Sequence, residues 1–536
     1  MSNQFISVFN DILGPVMRGP SSSHTAASHR IGIMARSLLG GKPKKAVFTF
    51  DPAGSYGQVI HQQGVDLALA SGLMDWSITD ERFPEALVCA KKDGIHLEFN
   101  ISPLKNADHP NALDIRIIGT KNETLNASAR STGGGSILFT EIDGFPLSLT
   151  GKEHSLLLFF EGEPYNVLPI LQKEYPSVNI QALHPDRNGR ACMICRSSIP
   201  FGQDLLTKVK RLNNLEGIRY CPPVFYVKKG DPLFSSSAEM VQLAAEKKCT
   251  LGELALEYES RLLGLSRKET LDEMIRRFNI MQRSISSGFT DSNVHMKLLD
   301  PTARSIIEAE LRGDLPVGGP HARAAARALA VMHINNSMGI VCAAPTGSSA
   351  GVIPAVAATL VEEYRLNTNK AVMLLFAASG IGLIFAQRAT FAAEIAGCQV
   401  EIGAAGAMAA AAVIEASGGN AGQAVDAAAI CLQNSMGLVC DLVQGMCEIP
   451  CHTRNAAAAS SAFTIADLIS GGYKNPIPLD ETIDAVLAVG KTMPSELRVT
   501  SLGGLAVAPS ALSLKPKGQG QLSPKKKSPS KSVEVY

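Results

Sequence analysis

Five of the chain's 11 cysteines crowd between positions 398 and 451, and three of these stand in distinctive surroundings. Cys398 lies in Ala396-Gly-Cys-Gln-Val-Glu401, Cys440 in Gly437-Leu-Val-Cys-Asp441 and Cys451 in Ile449-Pro-Cys-His-Thr-Arg-Asn455. Thiolates are soft ligands, so thiols gathered from separate segments can hold a metal or an iron–sulfur cluster. These three form neither a Cys-x-x-Cys zinc pair nor the compact ferredoxin run, so a cluster would draw its ligands from separated helix ends. Packing is the competing reading, because cysteine in an alanine-rich core is a small buried hydrophobe.

Three hydroxyl- and glycine-rich segments could grip a small anionic substrate. Gly19-Pro-Ser-Ser-Ser-His-Thr25 sets three serines, His24 and Thr25 between a Gly-Pro turn and a predicted helix. Hydroxyls and backbone N–H groups at a helix N-terminus can hold a carboxylate, although the same residues also serve as ordinary caps. Ser131-Thr-Gly-Gly-Gly135 permits close backbone approach and positive φ, but it lacks the lysine of a phosphate-binding P-loop. Ala344-Pro-Thr-Gly-Ser-Ser-Ala-Gly351 again joins hydroxyls to glycines before an apolar helix.

The elements that must position these groups fall into pieces. A chain of 536 residues is too long for one core and predicts two to four domains. Residues 1–150 mix strand runs such as Lys45–Phe50 and Leu113–Ile118 with a helix over Thr25–Leu39, which predicts an α+β domain. Residues 151–230 predict a small β-α-β-β module: a strand at Ser155–Phe160, a helix at Tyr165–Tyr175, and strands at Val178–Leu183 and Arg190–Cys195 around an Asp186–Gly189 turn. Residues 231–514 carry few strand signals and predict an all-α domain with a central buried helix. Residues 515–536 are Lys/Ser/Pro/Gly-rich and predict a disordered basic tail.

Together the Ser22–Thr25 segment, the Ser131–Gly135 loop, Ala343-Ala-Pro-Thr-Gly-Ser-Ser-Ala-Gly-Val-Ile-Pro354, Gly397-Cys-Gln-Val-Glu-Ile-Gly403 and Ile449–Asn455 resemble the iron–sulfur-dependent L-serine dehydratases, or L-serine ammonia-lyases. The likeness runs to about residue 510, with the family's β part, an ACT-like module and its α part fused in one chain. It implies a [4Fe–4S] cluster on Cys398, Cys440 and Cys451, with one iron left open as a Lewis acid for the 3-hydroxyl of L-serine. A base would remove the α-proton, and the product would hydrolyse to pyruvate and ammonia, a step of amino-acid catabolism that can feed gluconeogenesis.

By the same resemblance Ser22, Ser23, His24 and Thr25 belong to the catalytic site, and Ser131, Thr132, Gly133, Gly134, Thr346, Ser348, Arg454 and Asn455 to substrate binding. His24 is a candidate base, with a structural hydrogen-bonded histidine as its alternative. The chain departs from the family at Gly54-Ser-Tyr-Gly-Gln-Val-Ile-His-Gln-Gln-Gly-Val-Asp66, where Gln63 takes the place of a histidine and His61 stands two residues early. His61 is therefore a second candidate base. The departure keeps two alternatives open: cluster-dependent elimination from threonine, cysteine or D-serine, and a non-catalytic serine sensor. Cys447 receives no role from the family and is expected to pack beside the cluster.

Charge and composition exclude other classes. Six lysines after position 514 (515, 517, 525, 526, 527 and 531) oppose only Glu534, so the near balance of 50 basic and 49 acidic residues leaves a slightly acidic body. No basic surface supports nucleic-acid binding. Met1-Ser-Asn-Gln-Phe-Ile is not the start of a secretory signal, and the uncharged Ala371–Ala386 run is expected to be a core helix too short for a membrane. A cytoplasmic enzyme without a disulfide framework is expected, and the ACT-like module suggests a homodimer.

Overall fold

The computed structural model describes residues 5–105, 107–162, 167–183, 189–290, 294–517 and 533–534. After a short strand β1 (Val16–Arg18), the first domain runs α1 (Ala27–Leu39), β2 (Pro43–Phe50), α2 (Ser55–Val59), α3 (Val65–Leu73), α4 (Ala86–Lys92), β3 (His96–Ile101), β4 (Ala112–Gly119), β5 (Thr124–Gly133), β6 (Ser136–Ile142) and β7 (Phe145–Leu149). The strands order as β3-β2-β4-β5-β6-β7, with β2 and β3 parallel and the other pairs antiparallel. Alternation in β2 turns Ala46, Phe48 and Phe50 into a core shared with Ile31, Leu38 and Leu69 of the helices. Helices α1 and α3 cross where glycines meet: a Cβ on Gly72 would lie 2.3 Å from the His29 carbonyl oxygen.

The second unit extends the expected β-α-β-β by one helix and one strand. It runs β8 (His154–Glu161), α5 (Leu168–Glu174), β9 (Asn179–Leu183), β10 (Arg190–Ser197), α6 (Gln203–Val209) and β11 (Leu215–Cys221). Its antiparallel order β11-β8-β10-β9 is that of a ferredoxin-like double β-α-β. Most of the expected Asp186–Gly189 turn and the start of the Tyr165–Tyr175 helix lie outside the described residues. Cys192 and Cys195 face opposite sides of β10, one in the core under the first domain and the other in the unit's own core. They are unpaired.

The remainder is helical: α7 (Ser237–Lys247), α8 (Leu251–Leu263), α9 (Arg267–Thr290), α10 (Ala303–Arg312), α11 (Pro320–Asn336), α12 (Val352–Glu363), α13 (Thr368–Arg388), α14 (Ala393–Ala396), α15 (Ile402–Ala416), α16 (Ala421–Ser435), α17 (Cys451–Ser470) and α18 (Leu479–Thr492), with the short strand β12 (Ile340–Cys342) between α11 and α12. Ser236, Thr250, Asn367 and Asn420 cap α7, α8, α13 and α16 through their side chains. Within the helical domain α15 has 13 of its 15 residues buried, and α8, α12 and α13 are also buried along most of their length, so the core is shared by several helices. As expected, Ala371–Ala386 lies in a core helix, although the whole helix, like the segment Cys398–Ala416, is long and apolar enough by composition to cross a membrane. Their apolar windows are 78% and 94% buried inside the protein, so the helical core accounts for their hydrophobicity.

The first residues do not pack with the first domain. Phe9, Ile12 and Leu13 enter the core of the helical domain, and the buried Glu259 carboxylate accepts bonds from the Ser7 hydroxyl and the Val8 and Phe9 amides. Strand β1 then pairs with β12. The packing boundary therefore falls near Arg18, immediately before the Gly19–Thr25 segment, which starts at the seam between the two domains. Lys517 ends the continuous description, and most of the predicted tail lies outside it; Val533–Glu534 runs antiparallel to β3.

Candidate metal centre and active site

Four cysteines from three segments share one buried cluster at this seam. Cys398 follows α14, Cys440 ends the α16–α17 connection's first arm, Cys447 lies within that connection and Cys451 opens α17. The loop containing Cys398 needs Gly397, whose φ is +74° and whose added Cβ would lie 2.8 Å from the Leu438 carbonyl oxygen. The Cys398 and Cys440 sulfurs and a Glu401 oxygen all lie within 4.8 Å of one another. Hydrogen bonding by Cys440 holds the Cys398 thiol below its ordinary range, aided by the Arg454 guanidinium. The partner bond with Cys398, together with burial, raises Cys440; the bond with Cys447 and burial raise Cys451.

This donor set fits a thiolate-bound iron–sulfur cluster. Three thiols expected from sequence are buried in one cluster, and a half-buried cation stands beside them to balance thiolate charge. Arg454 is fixed by the Val439 carbonyl at 2.7 Å and by Asp441 at 3.0 Å. Asn455 is fully engaged: its amide donates to the Ser348 and Cys451 carbonyls and accepts from the Gly351 amide. It therefore positions the Thr346–Ser349 loop against the start of α17, and none of its polar atoms is left over for a substrate.

A small cavity of about 10 Å³ is lined by Ser21, Ser23 and Gln63 from the first domain and by Ser348, Glu394, Glu401, Cys440 and Cys447 from the helical domain. Burial pushes the Glu394 carboxyl up to about 7; Asn111 donates to it at 2.8 Å. Burial, followed by the Cys398 and Glu394 charges, raises Glu401 further, and the Ser348 hydroxyl donates to it at 3.1 Å. Glu394, Glu401 and Ser21 are the members that sequence reasoning missed. The signal was present: Glu394 and Glu401 are acids flanking Cys398 inside an otherwise apolar run, where a carboxyl must be neutralised or functional.

His24 is enclosed, and burial lowers it to about 3. Its Nε2 meets the Ser55 hydroxyl at 3.0 Å, and that hydroxyl in turn donates to the Val499 carbonyl. The network thus assigns the proton to Nε2 and turns the Nδ1 lone pair toward Ser23 and Ser21, at 3.0 and 3.2 Å. Ser22 accepts from the Gly347 amide and Thr25 donates to the Gln63 carbonyl, so both tie loops together. His61 lies elsewhere: its side chain is 62% exposed and pairs with Asp66 at 2.7 Å, outside the cavity lining. Gln63 is the residue of that segment that enters the cavity.

Ser131, Thr132, Gly133 and Gly134 are not among the residues that line the cavity. A Cβ on Gly133 would lie 2.7 Å from that of Ala392, two residues before Glu394, so the loop supports the strand of chain that carries this acid. Thr346 joins its own loop to Ser349 and to Glu401. Over the opposite side runs the segment after α18. The Cys440 amide donates to the Leu497 carbonyl of this segment and the Cys440 carbonyl accepts from the Val499 amide, Leu505 donates to Asp441, and Val499 lines the cavity at φ +65°. A β-branched residue held there costs about 1–3 kcal/mol, which the bonds to Cys440 and Ser55 offset.

Fold and site define a multidomain protein with a buried, cysteine-rich site between an α+β domain and a helical domain. Residues 246–506 match the family model described as "Serine dehydratase alpha chain". The "Probable L-serine dehydratase, alpha chain" of Bacillus subtilis is 34% identical over 286 residues, 53% of this chain and 95% of the relative. The "L-serine dehydratase, alpha chain" of Peptoniphilus asaccharolyticus is 35% identical over 51% of this chain and 94% of its own. The "Probable L-serine dehydratase, beta chain" of B. subtilis is 42% identical over 29% of this chain and 68% of its own. The chain belongs to the L-serine dehydratase family, with beta and alpha parts on one polypeptide.

Proposed function

We propose that the protein is an L-serine ammonia-lyase that converts L-serine to pyruvate and ammonia on a [4Fe–4S] cluster held by Cys398, Cys440 and Cys451. The observation that supports this reading is that those three thiols share one buried cluster, with Cys398 and Cys440 close to the Glu401 carboxyl, beside a cavity lined by Cys440, Glu394, Glu401 and serine hydroxyls. When bound, the cluster supplies a Lewis acid for the 3-hydroxyl, which is otherwise a poor leaving group.

The chain's own groups do the rest. Glu394, poised near neutrality by burial, takes the α-proton on a carboxylate oxygen. Neutral His24 keeps its proton on Nε2 and orients the Ser21 and Ser23 hydroxyls through Nδ1. Those hydroxyls and Ser348 orient the substrate's carboxylate and ammonium, while Arg454 offsets the charge of the thiolates. Val499 and its segment exclude water, so that the leaving group and the Cα–H bond stay aligned. Ser131–Gly134 and Asn455 act by positioning.

The ferredoxin-like unit is read as an ACT-like module that pairs two chains into a homodimer, and the enzyme as cytoplasmic. Anaerobically reconstituted protein is expected to form pyruvate and ammonia from L-serine at a higher kcat/KM than from L-threonine, L-cysteine or D-serine. Preference for one of the other three would redirect the substrate assignment. Serine binding without turnover by protein carrying its full iron would contradict the enzyme reading.

A further inference from the structure

Asn111 is buried just before β4 and reaches across the seam to Glu394 of α14, 283 positions along the chain. Three of its four polar groups are committed. The backbone amide donates to His109 Nδ1 at 3.1 Å, the carbonyl accepts from the Ser131 amide at 3.2 Å, and side-chain Nδ2 donates to Glu394 Oε1 at 2.8 Å. The fourth, Oδ1, is buried without a hydrogen-bond partner among the described residues. An orphaned buried acceptor costs stability, so its presence calls for a reason. Glu394 supplies one. As a carboxylate it only accepts hydrogen bonds, and the Asn111 N–H serves it; once protonated it carries an O–H that needs an acceptor. A primary amide holds donor and acceptor on one planar group, and a half-turn about Cβ–Cγ exchanges them. Because Oδ1 has no partner to give up, that turn breaks only the bond to Glu394 itself, while the bonds to His109 and Ser131 hold the Asn111 backbone in place.

We propose that Asn111 is a positioning residue for the elimination: it holds the Glu394 carboxylate through Nδ2 and, when the proton arrives, turns to accept the Glu394 O–H at Oδ1. The inference rests on the functional reading above, in which Glu394 is the base. In that step the Cα–H bond breaks and its proton goes to a Glu394 oxygen. The electron pair becomes the second Cα–Cβ bond as the Cβ–O bond breaks and the hydroxyl leaves with its own pair. Asn111 exchanges neither atoms nor electrons. It is not among the residues that line the cavity, so it acts on the substrate only through Glu394. Its loss therefore slows proton transfer and leaves substrate binding alone.

The test uses full-length, anaerobically reconstituted protein: wild type, Asn111→Ala, the near-isosteric Asn111→Asp, Glu394→Gln, and Glu394→Gln combined with Asn111→Ala. Both single Asn111 variants are expected to keep the cluster absorbance and a KM for L-serine within about twofold of wild type, with kcat roughly ten- to a hundredfold lower. Deuterium at Cα of L-serine should slow them more than it slows wild type, because proton transfer then limits the rate. Asn111→Asp keeps the shape and both backbone bonds but replaces the donor with a second carboxyl, so a wild-type kcat in it overturns the proposal. That variant decides by itself where the alanine variant does not fold. On the Glu394→Gln background, Asn111→Ala should cost less than about twofold more, and losses that multiply overturn the proposal. If Glu394→Gln loses its rate while both Asn111 variants match wild type, only the Asn111 role falls. A Glu394→Gln protein with the wild-type rate removes the base and the Asn111 role with it.

Discussion

Two groups of buried cysteines show how surroundings decide what a thiol can do. In the ferredoxin-like unit, burial pushes Cys192 and Cys195 up to about 12, and each sits among aliphatic neighbours on its own face of β10. At the seam, Cys398 is equally buried, but a hydrogen bond from Cys440 and the nearby Arg454 move it the other way. Burial alone makes a thiol inert; burial among other thiols and a fixed cation prepares it as a ligand. The two sites also differ in origin, since the first lies within one strand and the second needs segments from α14 to the chain after α18.

The contrast can be broken most severely at the carboxyl that serves the seam. Glu394→Gln is expected to lower kcat by about 10²–10⁴-fold with cluster absorbance retained. In wild type, kcat/KM should fall as the pH drops through about 7, because the base works only when ionised. A variant that keeps both its rate and that acid limb would remove Glu394 from the proton-transfer role.

Next in size is the cation that distinguishes the seam from β10. Arg454→Lys loses the planar fork that reaches Val439 and Asp441 together, and should raise KM or lower cluster occupancy by roughly tenfold. Kinetics and iron content matching wild type would show that the guanidinium is dispensable. Cys195→Ala, by contrast, should cost about 1 kcal/mol in denaturant unfolding and leave the iron content unchanged.

The smallest effect concerns His24. Its folded pKa of about 3 lies below the ordinary 6.5, so between these values the unfolded chain binds a proton that the folded protein refuses. Stability from this group is therefore present above pH 6.5 and lost as pH falls toward 3. Unfolding midpoints measured between pH 7.5 and 5 should drop less in His24→Asn than in wild type, and equal slopes would contradict the burial argument.

Much of this was legible in the sequence because it is local. The Lys45–Phe50 strand, the helix through Leu39 and the glycine-flanked cysteines announced themselves by period or context. What was not legible depends on contacts between distant segments. The β11 strand and α6 follow a weak pattern, and residues before Arg18 pack against helices more than two hundred positions away. His61 and Gln63 illustrate the limit: two positions apart, one points to solvent toward Asp66 and the other reaches Cys447, and no spacing rule chooses between them.

The central claim is that the seam thiols hold a cluster while those of β10 do not. Iron and sulfide counts with an anaerobic absorbance spectrum, taken on wild type, Cys440→Ser and Cys195→Ser, test it most directly. Four iron and four sulfide per chain in wild type and Cys195→Ser, with loss of both in Cys440→Ser, is the expected result. A colourless, iron-free wild type after reconstitution, or a Cys440→Ser protein with an unchanged cluster, would contradict it.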